Sequence, residues 1–177
     1  MSHVCGTECA RSVGGWRYHD DVRTPEALTH TYGFEPYAVN TDAVPRIPEG
    51  WTLESHRPGG MVVLDRAPEL EFWQSKAQEN GRKIPSAEFW KLIRDLPYLN
   101  AQVMYLLINN KKLLASSRPV LGDGRHKRLI FPGTVYRDRM GQRTLPSMTR
   151  DVIGSGWLEA GEYDTEFGPD QFVVLLR

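Results

Sequence analysis

Apolar residues recur at helical spacing in three stretches of the chain. The first stretch lies between Pro68 and Gly81, the second begins near Ser86, and the third begins at Asn100. Proline is favoured in a first helical turn, glycine just after a last turn, and serine or asparagine at an N-cap. We therefore predict three short helices. Their core-facing residues are Leu70, Trp73 and Ala77, then Phe89, Leu92, Ile93 and Leu96, then Val103, Leu106 and Leu107.

The other apolar runs have the flanking turn residues of β-strands. Residues 51–55 and 61–65 flank an Arg-Pro-Gly-Gly sequence and predict a hairpin. Residues 128–137 turn at 139–141 into a second run at 142–145, and the prolines in these runs favour edge or bulged strands. Two further strands are predicted, at 157–158 and at 172–176, and the latter is apolar enough to be central.

These elements predict an α+β fold with a short N-terminal arm and hairpin, two to three short helices, and then a C-terminal antiparallel sheet. Residues 1–48 are rich in Gly, Pro, Thr and Asp and show no sustained period, which predicts an irregular arm with short strands. Residues 49–177 then form a single compact domain.

The composition is typical of a soluble globular protein. A chain of 177 residues with 40% hydrophobic and 25% charged residues can bury a core without disulfides or a metal. No apolar run approaches the roughly 20 residues that span a bilayer, and the N-terminus lacks the pattern of a secretory signal. We therefore expect a cytoplasmic protein with no membrane contact and no required cofactor.

The net charge is zero, but the charges are zoned along the sequence. Residues 1–110 carry a net charge of −3, residues 111–150 of +8 and residues 151–177 of −5. Either the basic segment binds a polyanion, or it pairs with the acidic tail across neighbouring strands, and the second interpretation is favoured. The candidate nucleic-acid-binding residues are Lys111, Lys112, Arg125, Lys127, Arg128, Arg137, Arg139 and Arg143.

Four blocks of sequence resemble, in order, those of a group of small uncharacterised bacterial proteins seen mostly as hypothetical proteins. The blocks are residues 48–60, 97–103, 131–138 and 157–158, and the group's corresponding patterns are GW-EH-GG, LNANVL and FWGTxYRD. The resemblance covers residues 45–177 and brings no activity with it. This chain has Pro132 where the group has an aromatic residue, and residues 143–147 replace a strand rich in Trp and Cys.

Two sets of side chains have the chemistry of a metal or catalytic site. His3, Cys5, Cys9 and His19 are soft ligands of the kind that Zn²⁺ prefers, although two free thiols in an N-terminal arm are the more common arrangement. His56, close to Trp51, is a candidate general base. The alternative is that its ring binds a turn carbonyl or stacks on Trp51.

Three functions follow from these observations. The leading hypothesis is a non-enzymatic protein–protein interaction or assembly module, with a protein partner or a second copy of the chain. It is favoured because no convergent catalytic set is evident and because the predicted edge strands offer unpaired backbone groups. The alternatives are nucleic-acid binding through the basic segment and a hydrolase centred on His56.

Overall fold

The structure is a computed structural model that describes residues 37–64, 70–110, 113–114, 127–150 and 157–177. The chain divides into two units, Met1–Glu35 and Pro36–Arg177, and all of the described residues belong to the second. Residues 37–48, which the sequence analysis assigned to the arm, therefore lie in the same unit as the predicted domain of residues 49–177.

The described residues form three helices and eleven strands, so this part of the fold is mostly β. The helices are α1 (Lys76–Glu79), α2 (Ser86–Ile93) and α3 (Ala101–Asn109). The strands are β1 (Tyr37–Asn40), β2 (Thr52–His56), β3 (Met61–Leu64), β4 (Leu70–Trp73), β5 (Ile84–Pro85), β6 (Arg128–Ile130), β7 (Thr134–Arg137), β8 (Arg143–Arg150), β9 (Trp157–Tyr163), β10 (Glu166–Phe167) and β11 (Gln171–Leu176).

Seven strands form one mixed sheet. Its order is β2-β7-β8-β6-β11-β4, and β9 also pairs with β8. The pairing of β6 with β11 is parallel and the others are antiparallel, so the sheet is mixed where the sequence predicted an antiparallel one. Strand β11 lies between β6 and β4, which confirms its predicted central position. Two smaller antiparallel sheets pair β1 with β3 and β5 with β10.

The large sheet has a hydrophobic cluster on each face. Side chains of successive strand residues point to opposite faces, so the neighbours Leu129 and Ile130 join different clusters. One cluster joins the sheet to α3 and to the β1–β3 sheet, and the other joins it to α2 and to the β5–β10 pair. The first contains Val62, Leu64, Val103, Met104, Leu129, Met148 and Val174, and the second contains Ile84, Phe89, Ile93, Ile130, Leu145, Phe167 and Val173.

Helix α3 begins as the sequence predicts. The Asn100 side chain accepts a hydrogen bond of 3.1 Å from the Gln102 amide, which confirms Asn100 as the N-cap. Helix α2 begins at the predicted Ser86, but Pro85 is its cap residue and makes no side-chain capping bond. The predicted core positions Phe89 and Ile93 are buried and Leu96 is partly buried, but Leu92, which was also predicted to face the core, is 44% exposed. Together these two helices place one buried apolar row on each face of the large sheet.

The helix predicted between Pro68 and Gly81 is wrong in its first half. Residues Leu70–Trp73 form β4, which pairs with β11, and only Lys76–Glu79 is helical. Ser75 and Gln78 form a capping box that starts the short helix after the strand. Residues 70–73 form a strand although their apolar residues have helical spacing, because they pair with the apolar central strand β11. Strand preference depends strongly on such tertiary context.

The predicted hairpin of residues 51–65 is also wrong. Strand β2 pairs with β7, and β3 pairs with β1, so the two strands belong to different sheets. The amides of Gly59 and Gly60 donate to Asp42 Oδ1 at 3.0 and 2.8 Å. These glycines therefore hold the chain against the turn after β1 instead of closing a tight reversal.

The predicted strand at residues 128–137 is divided in two. Phe131–Gly133 interrupts it, and β6 and β7 lie one after the other along the same side of β8. Pro146 lies in β8 at the junction between them, so this proline occupies a central strand and not the predicted edge. The predicted turn at 139–141 does join β7 to β8.

No helix in the described ranges combines the length and the apolar character that crossing a bilayer requires.

Candidate functional site

His56 is the last residue of β2, and each of its two ring nitrogens makes a hydrogen bond. Its Nε2 lies 2.8 Å from the Thr41 carbonyl oxygen, and its Nδ1 lies 2.8 Å from Thr134 Oγ1. A carbonyl oxygen only accepts, so Nε2 carries the proton and donates it to Thr41. In the neutral ring Nδ1 then accepts from the Thr134 hydroxyl. This geometry matches the interpretation in which the His56 ring binds a turn carbonyl.

Thr134 and Asn100 complete a polar network around His56. The Thr134 hydroxyl accepts from the Ala101 amide at 3.0 Å, while the Asn100 amide nitrogen donates to the carbonyls of Thr41 and Arg57 at 3.0 and 2.9 Å. Thr134 is fully buried and Asn100 is 4% exposed. A hydroxyl with no exposed surface cannot meet a substrate, so the contact of His56 with Thr134 is structural.

This network joins the first three blocks that carry the sequence resemblance. His56 and Gly59–Gly60 come from the first block, Asn100 from the second and Thr134 from the third. Gly133, next to Thr134, donates its amide to the Leu99 carbonyl at 3.0 Å. These blocks therefore meet at one point of the fold, where their residues hold β2, β7 and the start of α3 together.

Trp51, the other aromatic candidate, packs against Tyr136 of β7 and beside Gly161 of β9. Its ring meets Tyr136 edge to face at a centroid distance of 6.1 Å. A Cβ added at Gly161 would come within 3.1 Å of the Trp51 ring, so the close approach of β9 requires glycine there. The Tyr136 hydroxyl donates to the Arg46 carbonyl at 2.9 Å. Trp51 thus packs between strands of the large sheet.

Glu54 lies at a β-bulge in β2 and pairs with two arginines. The register shifts between Leu53 and Ser55, which leaves Glu54 as the extra residue. Its two carboxylate oxygens each lie 3.0 Å from a guanidinium nitrogen, Oε2 from Arg137 Nε and Oε1 from Arg143 Nε. The Arg143 N–H is not aligned for a hydrogen bond, so that contact is an ion pair. Arg137 and Arg143 face each other in β7 and β8, and Glu54 neutralises their mutual repulsion.

Asp164 is a buried carboxylate in the turn after β9. It accepts from Arg143 Nη1 at 2.6 Å, from Ser86 Oγ at 2.5 Å and from Trp90 Nε1 at 3.0 Å, and its side chain has no exposed surface. Burial of a charge requires this number of partners. Neither Asp164 nor Trp90 was predicted as a site residue, and Ser86 was predicted only as a helix start, because no local motif connects Ser86 or Trp90 to Asp164.

Three further cations of the basic segment, Lys127, Arg128 and Arg139, also have partners. Arg128 pairs with Glu162, which raises the pKa of the guanidinium by hydrogen bonding and then by charge attraction. Arg139 donates to the Glu49 carbonyl at 3.1 and 3.2 Å, and Lys127 Nζ lies 4.8 Å from the centre of the Phe172 ring. Arg128 and Arg143 are therefore neutralised by the acidic tail, as predicted, while Arg137, Arg139 and again Arg143 pair with Glu54 or Glu49 from earlier in the chain, which was not predicted.

Several predicted site residues lie outside the described residues. These are the zinc candidates His3, Cys5, Cys9 and His19, and the cations Lys111, Lys112 and Arg125. Within the ranges that are described, no group of three or more His, Cys, Asp or Glu side chains is arranged to hold a metal ion.

An apolar surface that the sequence analysis missed lies on the outer side of the β1–β3 sheet. Met61 and Val63 are 63% and 38% exposed, whereas Val62 and Leu64 are buried. Ala38 lies opposite Val63 in β1 and is also exposed. A strand with one solvated face usually alternates apolar and polar residues. The four consecutive apolar residues of β3 were the available signal, and we call Ala38, Met61 and Val63 the β3 outer face.

Comparisons of the chain with protein-family models, with curated proteins and with solved structures found no match.

Proposed function

We propose that this protein is a non-enzymatic protein–protein interaction module that binds through the β3 outer face. The observation that carries the proposal is the exposure of Met61 and Val63 on a strand that is apolar at every position. Such a strand is typical of a sheet that is covered on both faces. Its inner face packs on the core, so a partner protein is the natural cover for its outer face.

The polyanion alternative has weaker support. Nucleic-acid affinity comes mainly from cations that are free to displace counterions from phosphates. Among the described residues of the basic segment, Arg128, Arg137 and Arg143 each have a carboxylate partner. Binding to a phosphate would have to break these pairs first.

The hydrolase alternative also has weak support. A general base must reach the proton that it removes from a nucleophile or a water molecule. Both nitrogens of His56 are already engaged, one by a backbone carbonyl and the other by the buried Thr134 hydroxyl. The His56 site is therefore better suited to joining three segments of the fold.

The test is a matched pair of lysine substitutions. Met61 is 63% exposed in β3, and Met140 is 80% exposed in the turn between β7 and β8. Cross-linking of the purified protein, and of extracts from cells that produce it, is followed by mass spectrometry to identify the proteins joined to it. We expect Met61→Lys to abolish a specific cross-link, to the chain itself or to another identified protein, and Met140→Lys to retain it.

The proposal is wrong if the Met61→Lys variant keeps every specific cross-link of the unsubstituted protein, or if that protein forms none. Circular dichroism of the two variants checks that each remains folded. Both changes place the same charge at an exposed methionine, so a difference between them reports on the surface and not on net charge.

A further inference from the structure

The pairing register of β1 with β3 fixes which backbone groups of β3 point away from β1. In an antiparallel pair, residues alternate between those that bond to the partner strand and those that point outward. The Thr41 amide donates to the Gly60 carbonyl at 2.9 Å, so the backbone carbonyl of Gly60 points toward the β1 side. By alternation, Val62 and Leu64 bond to β1, and Met61 and Val63 present their N–H and C=O groups on the opposite edge.

Among the described residues, no strand covers this outer edge, since β1 and β3 form a sheet of two. Natural proteins commonly protect such edges with charged residues or proline, but β3 has neither between residues 61 and 64. In contrast, β2 and β4, two of the three strands with a single neighbour in the large sheet, carry Glu54 and Glu71.

We infer that the outer edge of β3 pairs with β3 of a second copy of the chain, in an antiparallel register with the two-fold axis at Val62. This inference rests on the proposed function and names the partner. About this axis Met61 of one copy lies opposite Val63 of the other, and both have the outward backbone groups that a hydrogen-bonded pair requires. Val62 then faces its own counterpart in a pair that is not hydrogen-bonded.

Side-chain chemistry selects this register over the two neighbouring ones. An axis at Val63 would place Met61 opposite Asp65 of the second copy, and an axis at Met61 would place Val63 opposite Gly59, whereas the axis at Val62 pairs apolar residues. Residues directly opposite in an antiparallel pair have Cβ atoms about 4.5–5.5 Å apart. Met61 and Val63 would therefore cover each other across the junction, on the side where both are exposed in the single chain.

The junction is short, and its size sets the expected affinity. About five residues of each copy would pair, which is well below the roughly 1,200 Å² of buried surface found in stable complexes. We therefore expect reversible association with a Kd between about 10 μM and about 1 mM. The same extended edge is suited to an apolar strand of another protein, and the test separates the two partners.

The first experiment measures the mass of the purified full chain by sedimentation equilibrium from about 10 μM to about 1 mM, a range that covers such affinities. We expect a monomer–dimer equilibrium that Met61→Lys shifts at least tenfold toward monomer and that Met140→Lys leaves unchanged. A monomer at every concentration overturns the inference, as does a dimer that is insensitive to Met61→Lys.

The second experiment tests the register by disulfide formation in a Cys5→Ser/Cys9→Ser background. Residues in a hydrogen-bonded antiparallel pair have Cα atoms about 5.5 Å apart, a usual distance for a disulfide. Met61 and Val63 are both exposed, so cysteines at these positions are accessible to oxidation. We expect an equimolar mixture of Met61→Cys and Val63→Cys to form a covalent heterodimer under mild oxidation several times faster than either variant forms a covalent homodimer, because only the mixture places two cysteines opposite each other. Equal rates, or faster homodimer formation by either variant, overturn the register. If the protein is monomeric but a cross-link to another protein depends on Met61, the proposed function stands and this inference fails.

Discussion

Arg143 and Asp164 form an ion pair in which the carboxylate has no exposed side-chain surface. Arg143 Nη1 lies 2.6 Å from Asp164 Oδ2, and the Arg143 side chain is 37% exposed. The pair joins the start of β8 to the turn after β9, and through Ser86 and Trp90 it reaches helix α2. One buried carboxylate therefore holds together the edge of the large sheet and the layer that covers it.

We predict that Asp164→Asn destabilises the protein. The amide would remove the negative charge and leave Arg143 without this partner, although Glu54 would still neutralise it. Breaking a fully buried ion pair costs about 3–5 kcal/mol, and we expect about 2–3 kcal/mol here because Arg143 is partly solvated. Urea unfolding followed by tryptophan fluorescence measures the change in the free energy of unfolding.

Glu166→Gln provides the matched control for this prediction. Glu166 pairs with Lys83 and raises the pKa of its amino group, but the two side chains are 54% and 64% exposed. Exposed ion pairs contribute little to stability, so we expect no change beyond experimental error. Equal losses in the two variants would show that burial of Asp164 does not set its contribution.

We predict that Gly133→Ala is destabilising because the space beside this residue is filled by backbone. An added Cβ would lie 2.8 Å from the Asn100 Cβ and 2.9 Å from the Leu99 carbonyl oxygen. Such overpacking typically costs about 1–3 kcal/mol.

Gly168→Ala is the matched control. At Gly168 the atom nearest to an added Cβ, 2.9 Å away, is an oxygen of the Asp170 side chain, which can rotate aside. Gly168→Ala should therefore cost less in thermal unfolding, and a larger loss there would contradict this account.

We predict that charge reversal at Arg128 reduces stability and leaves any affinity for nucleic acid unchanged. Arg128→Glu would place two carboxylates together at Glu162, and the expected loss is up to about 1 kcal/mol because Arg128 is 46% exposed. Adding Glu162→Arg restores an opposite pair and should recover the stability. A gel shift with single-stranded RNA at low salt that Arg128→Glu abolishes and the double variant does not restore would favour the polyanion alternative.

The sequence predicts the local features of this fold better than its strand pairing. The N-cap at Asn100 and the turn at 139–141 depend on residues close in the chain, and both predictions are confirmed. The hairpin at 51–65 and the helix that included Leu70–Trp73 are wrong because each required knowledge of a distant partner. Strand β2 pairs with β7, about 80 residues away, and β4 pairs with β11, about 100 residues away.

For the candidate sites, too, the sequence predicts local features better than long-range contacts. The sequence indicates His56 as a candidate general base or as a ring that binds a turn carbonyl, but its binding of Thr41 and Thr134 depends on tertiary contacts. The zoned charge correctly predicted that Arg128 meets the acidic tail. It did not predict that Glu54 neutralises two arginines, because the bulge that places Glu54 between them arises from the pairing of β2 with β7.

We predict that two fully buried hydroxyl groups contribute to stability with opposite sign. Thr134 Oγ1 binds His56 and the Ala101 amide, whereas Ser147 Oγ has no hydrogen-bond partner among the described residues, and neither residue is exposed. Thr134→Val leaves a buried amide and a ring nitrogen without their partner, which costs about 1–3 kcal/mol for each unsatisfied group. Ser147→Ala removes a hydroxyl that was desolvated without compensation, so it should be neutral or stabilising. Urea unfolding of both variants measures the difference, and a Thr134→Val variant as stable as the parent protein would contradict the role assigned to the His56 network.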